Sequence, residues 1–68
     1  MKKLEEVDLS HDELEAIRLA DHEGVNQTEA AEKMAISQST FQRIITEAHR
    51  KIGQALIQGR AIKITLEG

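Results

Sequence analysis

The sequence predicts an all-α fold of three helices closed by a short C-terminal β-strand. Three observations carry this. The 68 residues include no Pro, so no helix is broken by a missing amide or a ring clash. Three segments open with the same capping pattern. Apolar residues recur at three- and four-residue steps as far as Gly59 and then switch to strict alternation.

The first helix is expected over about 10–23. The Ser10 hydroxyl can accept from the Glu13 amide while the Glu13 carboxylate reaches back to Ser10, and Leu9 and Leu14 flank the cap as a hydrophobic staple. Gly24 provides the left-handed stop. Asn26 caps the second helix, about 27–35, with Glu29 as its acidic partner. Ser37 caps the third, about 38–58, whose inner face reads Phe41, Ile44, Ile45, Ala48, Ile52, Ala55 and Leu56 before Gly59 ends it. Gly53 sits inside that helix at a cost of ~1 kcal/mol relative to Ala. Beyond Gly59, Ile62, Ile64 and Leu66 alternate with Lys63, Thr65 and Glu67, a half-buried strand over about 61–66. Its backbone needs a partner, either the segment around Leu4-Glu5-Glu6-Val7 or its own copy in a second chain.

Composition narrows the class. A chain this short buries roughly 60% of its unfolded surface and gains from a partner. The absence of Cys excludes disulfides, thiolate zinc sites and thiol catalysis, and it suits a reducing, cytoplasmic setting. No apolar run approaches the ~20 residues of a membrane span. Phe41 is the single aromatic residue, which leaves little stacking surface for single-stranded nucleic acid. Charge is divided: residues 1–32 hold three Lys or Arg against ten Asp or Glu, and residues 33–68 hold six against two, for a net −3. A polyanion would be drawn to the second half and repelled by the first.

The second and third helices are separated by almost nothing, which describes a helix-turn-helix within a single domain over 1–68. Ala31 is small enough for the helix crossing. Ala35 sits in the turn, Ile36 plugs behind it, and Phe41, Ile44 and Ile45 line the inner face. Ala35 implies either modest strain or a different turn, because a left-handed residue with a β-carbon costs ~1–2 kcal/mol.

The stretches Asp12–Asp21, Glu29–Ile44 and Ala55–Gly59 resemble an uncharacterised prokaryotic family, whose members are described as predicted DNA-binding proteins with a helix-turn-helix similar to region four of bacterial sigma factors. The resemblance covers about Val7 to the C-terminus and implies binding to double-stranded DNA. Members usually carry Gly where this chain has Ala35.

If the third helix lies in a major groove, its exposed N-terminal residues Gln38, Ser39, Thr40, Gln42 and Arg43 would read bases. Gln pairs with adenine and Arg with guanine in bidentate fashion, so Gln42 and Arg43 lead. Phosphates would fall to Gln27, Thr28, Ser37, Lys33, Arg50 and Lys51. Glu47 should point away, or pair with Arg43 or Lys51. So few cations imply weak binding by a monomer, which favours a homodimer on paired half-sites.

No cofactor or metal is expected, since His11, His22 and His49 lack zinc-site spacing, and no nucleophile or phosphate-loop motif is present. An enzyme is not expected. The competing reading is an interaction module whose acidic first helix (Asp12, Glu15, Glu23) docks on a partner in the transcription machinery, with RNA polymerase conceivable by analogy.

Overall fold

The computed structural model of the protein describes residues 5–65. Strand β1 spans Glu6–Leu9, helix α1 His11–Ile17, α2 Gln27–Lys33, α3 Gln38–Gln58 and strand β2 Ala61–Ile64, with a π-helical turn over Arg18–His22 after α1. The protein is mostly helical, with one small two-stranded sheet.

All three expected caps form. Ser10 and Glu13 make the reciprocal pair, with Ser10 N to Glu13 Oε1 at 2.9 Å and Glu13 N to Ser10 Oγ at 3.1 Å. Asn26 Oδ1 accepts from the Glu29 amide at 2.9 Å, and Ser37 Oγ accepts from the Thr40 amide at 3.1 Å. The stops form as well: Gly24 and Gly59 both take positive φ.

The first helix departs from a continuous α-helix over 10–23, because it widens at Arg18. The Glu23 amide bonds to the Arg18 carbonyl at 2.9 Å, a five-residue step. That wider turn brings residues five apart together, so the Arg18 guanidinium is held by Glu15 (2.8 Å) on one side and by Glu23 on the other.

The second helix ends at Lys33 instead of 35. The Ile36 amide reaches back to the Ala31 carbonyl at 3.0 Å and the Ala35 amide to that of Glu32 at 3.1 Å, the two bonds of a Schellman motif with Ala35 left-handed at φ 59°. Of the two alternatives, strain is the one realised. Ala35→Gly should therefore stabilise the fold, because relief of ~1–2 kcal/mol of strain exceeds the ~0.4–1 kcal/mol that Gly adds in unfolded-state entropy. A net gain of about 0.5–1 kcal/mol raises Tm by roughly 3–6 °C in a domain of this size. A melting curve unchanged or shifted downward would show that the turn is not strained.

β2 finds its partner in its own chain. It pairs parallel to β1, with Val7 opposite Ile62 and Leu9 opposite Ile64, which removes the unpaired strand as a reason for a dimer. Leu4, Leu66 and Glu67 lie outside the described residues. β1 carries the buried positions of the sheet, Val7 and Leu9, while Ile62 and Ile64 of β2 stay exposed.

The core packs Ala16, Leu19, Ala30, Ala31, Phe41 and Ile45. Ala at the crossings lets the three helices approach closely around Phe41 and Leu19, the two largest fully buried side chains. Leu56, expected on the inner face, is instead exposed. α3 is 21 residues long and outlasts the two seven-residue helices it packs on, so no helix covers its last turns.

Candidate nucleic-acid interface

α3 divides cleanly by face. Phe41, Ile45, Ala48 and Ala55 point into the protein. Ser39, Gln42, Arg43, Thr46 and Arg50 fall on the opposite side and are all exposed. This outward stripe carries two guanidinium groups, and the Glu47 carboxylate at its edge is bound to one of them, Arg50.

Of the expected base readers, Gln38, Ser39, Gln42 and Arg43 are exposed. Thr40 is half-buried, and its hydroxyl accepts from Ser37 Oγ at 2.8 Å. Ser37 and Thr40 therefore satisfy each other in building the helix start. Thr46 was not singled out from the sequence. It lies one turn beyond Gln42, whose side-chain amide donates to the Thr46 hydroxyl at 3.3 Å, and the i, i+4 step from Gln42 was the signal available.

The cations sort differently from expectation. Glu47 pairs with Arg50 (Nε to Oε1 3.0 Å), not with Arg43 or Lys51. The Arg50 contact holds the Glu47 carboxyl below its ordinary value, against a smaller opposing effect of burial. Lys51 is not a mobile charge on the stripe. It turns to the far side, where its ammonium donates to Glu13 Oε1 at 2.9 Å and to the Asp8 carbonyl at 2.8 Å. Among the described residues, Arg43 on α3 and Lys33 at the end of α2 are exposed and have no carboxylate partner.

Gln27 and Thr28 stand at the start of α2, in an open polar groove of about 590 Å³ that also includes Asn26, Glu29, Glu32 and Gln38. The carboxylates of Glu29 and Glu32 oppose an anion there. Gln27 and Thr28 offer side-chain donors at the groove's edge, but the stripe on α3 is the surface whose charge suits a polyanion. A second, smaller cleft of about 290 Å³ lies beside Arg43, between Glu13, Thr40, Ile44 and Glu47.

Among the described residues there is no group of three His, Asp or Glu placed to hold a metal ion, and no helix is long and apolar enough to cross a membrane. His49 Nε2 lies 2.7 Å from Asp21 Oδ2, joining α3 to the π-helical turn.

A family model described as "Protein of unknown function DUF134" matches residues 1–68. The chain is similar to UPF0251 proteins from several bacteria. It is 56% identical over 62 residues to that of Prosthecochloris aestuarii, covering 91% of this chain and 40% of the relative. It is 56% identical over 61 residues to that of Desulforudis audaxviator, covering 90% and 40%. It is 52% identical over 65 residues to that of Pelotomaculum thermopropionicum, covering 96% and 49%. The chain thus spans less than half the length of these relatives. No solved structure matches it.

Proposed function

The chain belongs to the DUF134 family of uncharacterised prokaryotic proteins, and on that premise we propose that it binds double-stranded DNA through a helix-turn-helix formed by α2, the Ala35 turn and α3, as a regulator of transcription. The observation that carries this reading is the outward stripe of α3, where Ser39, Gln42, Arg43 and Thr46 present only donors, acceptors and an unpaired guanidinium to solvent. An α-helix fits the major groove, and this mixture of groups suits base edges. The Schellman turn after a short α2, with Ala31 buried beneath, supports the resemblance to sigma factor region four.

In this reading Gln42 and Arg43 lead base recognition, with Gln38, Ser39 and Thr46 beside them. Lys33 and Arg50 meet phosphates, with Gln27 and Thr28 as further donors, and Lys51 holds the scaffold. The competing use of the first helix as an acidic docking surface is weakened by Arg18, which already engages Glu15 and Glu23.

The test is fluorescence anisotropy of a labelled duplex at two salt concentrations. With two phosphates neutralised by Lys33 and Arg50 of each chain, log K should fall against log salt with a slope near −1.8 per bound chain. Arg43→Ala should weaken binding to a preferred site a further ~5–150-fold, the equivalent of ~1–3 kcal/mol for one bidentate contact. No binding at ~100 μM in low salt would fall short of even ordinary non-specific affinity and would remove the DNA reading.

A further inference from the structure

Thr40 stands at the interface differently from its polar neighbours. Its hydroxyl accepts from Ser37 Oγ at 2.8 Å, and its amide donates to the same Ser37 oxygen at 3.1 Å. A β-branched side chain tied to the cap in this way keeps one rotamer. The hydroxyl is turned back toward Ser37, and what Thr40 has left to offer is its methyl group.

Thr40 also borders the cleft of about 290 Å³ beside Arg43, and the surface of that cleft is predominantly apolar. The reason lies in where its two carboxylates go. Glu13 turns its carboxylate to the Ser10 amide and Lys51, and Glu47 turns its own to Arg50, so both leave hydrocarbon stems behind. Thr40 and Ile44 supply the rest. Thr40, Ile44 and Glu47 follow one another at four- and three-residue steps, a single line along α3. Arg43 borders both this line and the outward stripe. The polar stripe thus has an apolar margin on the side of α1.

We propose that this margin receives the C5-methyl group of a thymine, in the base pair adjoining the one that Arg43 reads. The inference rests on the DNA-binding reading and adds a base to it. In the major groove the thymine methyl is an apolar group set among hydrogen-bond donors and acceptors. A cleft so poor in polar atoms selects for it, because an amino group or carbonyl placed there would lose its water without gaining a partner. The spacing agrees. Three residues separate Thr40 from Arg43, roughly 4.5 Å along the helix axis at ~1.5 Å per residue, against ~3.4 Å between successive base pairs.

Replacing thymine by uracil removes this methyl and leaves the hydrogen-bonding edge of the base unchanged. A preferred duplex is selected from a random pool with wild type. Each thymine in it is then replaced singly by uracil, and the affinity is read by fluorescence anisotropy. One thymine, next to a guanine whose preference Arg43→Ala loses, should cost ~4-fold on replacement, the equivalent of the ~0.8 kcal/mol for one buried hydrocarbon carbon. Thr40→Ser deletes the protein's methyl and keeps the hydroxyl that meets Ser37, so the cap and the helical circular dichroism should persist. That variant should bind the thymine duplex a similar ~4-fold more weakly and tell thymine from uracil by less than ~2-fold.

Uracil tolerated at every position overturns the proposal, as does a pool that yields no preferred sequence or no thymine next to that guanine. So does a thymine effect that survives intact in Thr40→Ser, which places the methyl elsewhere on the protein. In each of these cases duplex binding itself stands. No duplex bound by wild type at ~100 μM in low salt overturns the DNA-binding reading, and this inference with it.

Discussion

Phe41→Ala is expected to cost about 3–5 kcal/mol, at the top of the range for core truncations. Phe41 is fully buried and packs among Ala16, Ala30, Ala31, Leu19 and Ile45. Three of those neighbours are alanines with no rotamer that could swing into the void, so the cavity stays open. A domain of this length has roughly 3–10 kcal/mol of stability in total, so the variant should lose a large part of it. Urea unfolding followed by circular dichroism checks this. A loss below about 1 kcal/mol would mean that the helices are not organised around Phe41.

Lys51→Met should cost about 2–3 kcal/mol. Its ammonium joins α3 to the carboxylate of Glu13 at the start of α1 and to the Asp8 carbonyl of β1. Removing one member of a buried pair costs ~3–5 kcal/mol, and the figure is reduced here because the Lys51 and Glu13 side chains keep 23% and 10% of their exposure. Met preserves the packing of the stem, so what the variant loses is the charge and its hydrogen bonds.

The pair also sets a pH dependence. Burial pushes the Glu13 carboxyl up, but the Ser10 amide, the Lys51 ammonium and the Ser10 hydroxyl together outweigh it and hold the group below its ordinary 4.5. A carboxyl whose folded pKa is depressed contributes stability that is fully present above the unfolded value, near pH 4.5, and is lost as pH falls through the folded value. Glu15 beside Arg18 and Glu47 beside Arg50 are shifted in the same direction. Wild type should therefore lose stability below about pH 4.5, and Lys51→Met should lose less over the same interval. Parallel curves for the two proteins would show that the pair does not set the Glu13 titration.

What was legible in the sequence is what short-range chemistry decides. Ser10, Asn26 and Ser37 each cap a helix through an amide three residues on, and Gly24 and Gly59 end helices by their own backbone freedom, so neither needed tertiary information. Features set by distant neighbours were not legible. Glu13 reads as a capping residue, and its second role depends on Lys51, 38 positions away. For the same reason Lys51 reads as a mobile surface cation. The π-helical turn at Arg18 leaves no local mark, because a five-residue step and a four-residue step share the same apolar pattern near Leu19. Leu56 fits the periodicity of an inner face, yet α3 has outrun the shorter helices by that point. On the outward stripe, Gln42 and Arg43 were legible from helical spacing, whereas Glu47 has Arg43, Arg50 and Lys51 all within one helical turn, and spacing alone does not decide that it pairs with Arg50 and leaves Arg43 free.

The most direct test of the DNA-binding stripe is a ¹H–¹⁵N correlation spectrum of the labelled protein titrated with a short duplex. The expected result is a set of amide shifts running from Gln38 through Ser39, Gln42, Arg43 and Thr46 to Arg50, with smaller changes at Gln27, Thr28 and Lys33 and none on the exposed side of α1. Shifts confined to α1, or no shifts at duplex concentrations of several hundred micromolar, would contradict it.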